Sequence, residues 1–100
     1  MPDVSANTHA QILDALESAR REVLALRDRT KVKTSYVGFD MTEQTLVHCR
    51  AAVEPLRDRD QIVGMLRIAH GSLGLFGGGA VAPLVAQIQG RLQDLWDGMK

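Results

Sequence analysis

Cysteine, aromatic residues, proline and net charge are all scarce in this 100-residue chain, and each scarcity closes off a class of protein. A single cysteine, Cys49, rules out an internal disulfide and every zinc site built from several thiolates, and it suits a reducing compartment. Lys plus Arg and Asp plus Glu stand at 12 each, so no net field favours nucleic acid or an anionic membrane. The basic residues Arg20, Arg21, Arg27, Arg29, Lys31 and Lys33 do gather, but Glu17, Glu22 and Asp28 lie among them, the mixture of a solvated helix face. No window approaches the roughly 18 apolar residues of a membrane span, and Met1 to Ser5 shows no basic region followed by an apolar run. A soluble cytoplasmic chain without a membrane span is the expectation.

Length bounds the rest. A chain of this size makes one domain, here residues 1–100, and buries a little over 60% of its unfolded surface.

Helical periodicity dominates the pattern. Ile12, Leu16, Ala19, Val23 and Leu26 recur at steps of four, three, four and three, predicting an amphipathic helix over 8–29, capped by Asn7 or Thr8. Residues 30–40 break this rhythm, with β-formers around Gly38, and read as a connector with a strand-like piece. Asp40 and Glu43 have capping-box spacing, so a second helix is expected over 41–55, with Leu46, Cys49 and Val53 inward and Pro55 ending it. Asp58 or Asp60 is placed to cap a third helix over 59–76, whose core stripe is Ile62, Leu66, Ala69, Leu73 and Phe76. Gly77, Gly78 and Gly79 end it. Pro83 suits the first turn of a fourth helix over 81–98, with Val81, Leu84, Val85, Ile88, Leu92, Leu95 and Met99 on its face and Trp96 beside them. Four helices with short connections predict an all-α, antiparallel up-and-down four-helix bundle.

The third helix holds the chain's one anomaly. Each interior glycine costs about 0.5–1 kcal/mol against alanine, yet Gly64, Gly71 and Gly74 all fall inside it. At 100° per residue they gather with Asp60 and Arg67 on the side away from the core, with His70 at the boundary. The cost implies a return elsewhere, and a backbone that another surface can approach closely supplies one. Met65, Ile68 and Leu75 add an apolar edge to the same helix.

No motif for catalysis accompanies this strip. Gly77 to Gly79 lack the Lys-Ser/Thr of a phosphate-binding loop and the strand before it. His9, His48 and His70 lack the spacing of a helical metal site, and Cys49 beside His48 points about 100° away from it. The expectation is no enzyme, no metal and no cofactor.

Gly71-Ser72, Phe76-Gly77 and Leu84-x-x-Gln87-Ile88-Gln89 give residues 62–92 a resemblance to the histidine phosphotransfer (HPt) domain, a four-helix bundle that relays phosphate between sensor kinases and response regulators. The run Gly71-Ser72-Leu73-Gly74-Leu75-Phe76-Gly77 is similar to that of the degenerate HPt-like modules of the type IV pilus chemosensory system. In this frame Arg67 stands where the family has its phosphoacceptor histidine, and His70 where it has its lysine. Guanidinium stays protonated and is no nucleophile, so the resemblance implies a docking module without phosphotransfer, its partner a response-regulator receiver domain. The partner-binding residues would be Asp60, Gly64, Arg67, His70, Gly71 and Gly74. Two alternatives remain open: an active phosphotransfer protein with His70 as phosphoacceptor, and a structural helical homodimer packed through the glycines.

Overall fold

The structure, a computed structural model, describes residues 3–29, 36–74 and 82–99. Four helices carry them: α1 (Ala6–Arg29), α2 (Tyr36–Val53), α3 (Arg59–Leu73) and α4 (Ala82–Asp97). No β-strand forms among the described residues; a single bridge pairs Asp3 with Asp58. Each helix packs along the next, and α1 closes the ring against α4 more sparsely. Neighbours run antiparallel, as the joins at both ends of the bundle demand. Arg27 near the end of α1 meets Asp40 near the start of α2 at 2.7 Å, while Arg59 at the start of α3 donates to the Met99 carbonyl beyond α4 at 3.1 Å. The architecture is an all-α four-helix bundle 46 Å long.

The core is what the apolar stripes predict. Ile12, Leu16, Ala19, Val23 and Leu26 from α1 and Ile62, Leu66, Ala69 and Leu73 from α3 are all buried. Each large aliphatic among them stabilises the fold by about 1.5–3 kcal/mol through lost water contact. Cys49 is buried as a small core residue, and the desolvation pushes its thiol pKa up.

The largest correction concerns α2. It begins at Tyr36, not 41, so residues 36–40 of the expected connector are helix and not a strand-like piece; residues 30–35 lie outside the described ones. Phe39 and Thr42 are buried on the same stripe as Leu46, Cys49 and Val53, at steps of three, four, three and four. Burying Phe39 outweighs the local cost of β-formers and one glycine, which is the usual way packing overrides propensity. Asp40 therefore lies within the helix, where it pairs with Arg27 instead of capping, and Glu43 reaches Arg20 at 3.3 Å on α1.

The ends differ in detail. Ser5, not Asn7 or Thr8, caps α1: its hydroxyl accepts the Thr8 N–H at 3.1 Å and donates to the Thr8 hydroxyl at 2.9 Å. Asp58 caps α3 as expected, accepting the Gln61 N–H at 3.0 Å. That helix stops at Leu73, short of 76, with Gly74 as its C-cap donating to the Gly71 and Ser72 carbonyls; Phe76, Gly77 to Gly79 and Val81 lie outside the described residues. In α4 the stripe Val85, Ile88 and Leu92 is buried, but Leu84 is 39% exposed. It lies beside Ala25 and Leu26 at the sparse α1–α4 seam, where too little of α1 is at hand to cover it.

A polar tie closes the other end. His9, buried on α1, places Nε2 2.9 Å from the Val53 carbonyl, the last of α2. Arg57 Nη1 lies 3.0 Å from the same nitrogen and reaches the Glu54 and Leu56 carbonyls at 3.0 and 2.8 Å. Arg57 thus satisfies two carbonyls of the turn that follows α2, while the His9 ring meets the last carbonyl of the helix itself.

Candidate functional site, the outer face of the third helix

Asp60, Gly64, Arg67, Gly71 and Gly74 rise along one side of α3 over about 21 Å at 1.5 Å per residue. Their side of the helix faces away from Ile62, Leu66, Ala69 and Leu73. Asp60, Arg67, Gly71 and Gly74 are exposed, and Gly64 is half-buried.

The glycines serve no need of the bundle itself. Gly64, Gly71 and Gly74 all keep φ out of the left-handed region, so none is required by backbone geometry. A Cβ added at Gly64 or Gly71 meets nothing within 4 Å. Only Gly74 is tight, with a Cβ 3.2 Å from the Gly71 carbonyl at the helix cap. Two interior positions thus forgo helix stability although alanine would fit both.

Arg67, between them, makes no hydrogen bond or ion pair with any described residue. This sets it apart from Arg20 and Arg21 of α1. There Arg20 binds Glu17 at 2.6 Å and Glu43 at 3.3 Å, and Arg21 reaches Glu17 at 3.3 Å. The hydrogen bond from Arg20 holds the Glu17 carboxyl below its ordinary pKa, and the guanidinium is raised in turn.

His70 is half-buried at the boundary, as its helical angle predicts. Its ring meets Trp96 edge-on, centroids 5.1 Å apart and planes at 68°, a favoured aromatic geometry. Its carbonyl accepts from the Gln89 side chain at 3.0 Å. Side chains on a helix lean towards its N-terminus. In antiparallel neighbours His70 therefore leans down α3 and Trp96 leans back up α4, which is how two residues far apart along the helices touch.

Below that contact, Arg59, Asp60, Val63, Arg67, Trp96 and Met99 line a cleft of about 160 Å³. Asp60 and Arg67 were expected on this face; Arg59, Val63, Trp96 and Met99 were not singled out. Only the pairing of the start of α3 with the end of α4 reveals them. On the other flank, Met65 and the 51% exposed Ile68 border an open apolar groove against His48, Ala51 and Ala52 of α2. The apolar edge is thus open on that side; Leu75 lies outside the described residues.

Among the described residues no cluster of His, Cys, Asp or Glu could hold a metal ion. Nor is any helix among them long and apolar enough to cross a membrane. Comparison with protein-family models, with curated proteins and with solved structures returns no match.

Proposed function

We propose that this chain is an HPt-like bundle acting as a non-catalytic protein-interaction module in the cytoplasm, in two-component or pilus-motility signalling, and that it docks a receiver domain through the outer face of α3. The observation that carries the reading is an exposed arginine, without a partner among the described residues, flanked by two glycines whose missing side chains leave open space. A bare backbone lets a partner approach α3 closely. At the centre of that approach Arg67 offers a fork of donors matched to a carboxylate, and a receiver domain carries an acidic pocket. In the HPt frame Arg67 takes the acceptor's place and cannot carry phosphate, so docking is what remains of the family's activity.

A panel of receiver domains, alone and with their kinases, tests this. The expected result is binding that Arg67→Ala weakens and Gly71→Leu abolishes, with both variants folded by circular dichroism. Equal affinity in both variants for every receiver that binds would remove the reading. Acid-labile phosphate on His70, under conditions that charge a control HPt domain, would replace it with a working phosphotransfer protein. Sedimentation of a dimer that Gly71→Leu dissociates would replace it with a homodimer.

A further inference from the structure

The cleft at the lower end of the α3 face has a chemistry of its own. Its walls are apolar where Val63, Trp96 and Met99 meet, and charged at the rim. Arg59 and Asp60 largely cancel: the Arg59 Nε lies 3.6 Å from Asp60 Oδ1, and its Nη1 is held by the Met99 carbonyl. Arg67, on the same rim, has no partner among the described residues. An apolar socket with one uncompensated cation at its mouth is the result. At about 160 Å³ it falls below the roughly 300–1,000 Å³ of sites for small-molecule ligands, and is the size for a single side chain. Tryptophan and arginine are also the residues that dominate binding energy when a partner's side chain fills a pocket between them.

We infer that this cleft is a socket for one apolar side chain of an acidic segment on the partner, with a flanking carboxylate engaging Arg67. The inference rests on the docking reading and adds a specificity to it: the partner presents an aliphatic or aromatic residue bordered by Asp or Glu. Arg67 then does two jobs, closing over the inserted side chain with its stem and pairing the carboxylate with its head. The half-buried Trp96 loses its remaining contact with water when the socket fills.

Because Trp96 is the chain's only tryptophan, its fluorescence reports the socket directly. The probes are short synthetic peptides with a central Leu or Phe flanked by Asp and Glu, against the same peptides with Lys and Arg flanks or a central Ser. The acidic apolar peptides are expected to shift Trp96 emission saturably, about tenfold or more weakly in Arg67→Glu, and less as salt rises. Arg67→Glu, at an exposed position that does not threaten the fold, should instead take the Lys/Arg-flanked peptides. No saturable change with any peptide, or equal binding by wild type and Arg67→Glu, would overturn the inference. Amide spectra separate the two readings. Peptides that move the Trp96 indole but not the Gly71 and Gly74 amides support the socket and count against the wider face; peptides that move those glycines but not the indole overturn the socket and leave the face standing.

Discussion

Alanine at Gly64 and Gly71 is expected to make this protein more stable. Both sites lie inside α3 with ordinary helical backbone, and the added Cβ meets nothing within 4 Å at either. The gain is therefore the bare difference between glycine and alanine, about 0.5–1 kcal/mol each, much of it entropy removed from the unfolded chain. The sites stand two turns apart, roughly 10 Å, so the effects should add to about 1–2 kcal/mol. For a domain of this size that is a rise in Tm of about 4–16 °C. Thermal and urea unfolding followed by circular dichroism would read it. Gly90→Ala on α4, equally open, should gain as much as either single variant. Gly74→Ala should gain less, because its Cβ crowds the Gly71 carbonyl at 3.2 Å. A lower Tm for Gly64→Ala or Gly71→Ala would refute the reasoning: the bundle itself would then need those glycines, and the argument for a partner would lose its premise.

Three further outcomes follow from the fold. Asp58→Ala should cost about 1 kcal/mol by stripping the Gln61 N–H at the start of α3 of its acceptor, seen as a lower urea midpoint at unchanged slope. Glu17, whose carboxyl is held below its ordinary 4.5 chiefly by the Arg20 hydrogen bond, contributes stability that is present above that value and lost as pH falls through the depressed one. Glu17→Gln should accordingly flatten the acid limb of the stability profile below about 4.5, and an unchanged limb would discount the pair. Cys49, 3% exposed with its thiol raised by burial, should resist alkylation in the native state and react once urea unfolds the chain; rapid native labelling would mean that the α2–α3 seam opens.

Much of this was legible in the residues, and the failures share a cause. The stripes of α1 and α3 could be read because each is a single apolar face with one period. For α3 the same phase also predicted which side would be bare. The start of α2 could not be read that way. There the local preferences around Gly38 favour extended chain, and the decisive energy is Phe39 meeting a core built from other helices. Leu84 failed for the converse reason: its spacing is that of a core residue, but α1 lies too sparsely against α4 to bury it. Trp96 was visible as an apolar residue near the chain's end, yet its place in a cleft with Val63 and Arg67 depends on which helix ends pair, a property of topology. His9 likewise reaches the last carbonyl of α2 only once α1 is folded beside it.

The central claim is that a partner docks on the outer face of α3, and amide mapping tests it most directly. In a titration of the isotopically labelled chain with a receiver domain that binds it, the account predicts that Gly64, Arg67, Gly71 and Gly74 shift first and most, and that Gly71→Leu removes those shifts without lowering Tm. Shifts centred instead on Ser18, Glu22, Gln87 and Arg91 along the α1–α4 seam would contradict it.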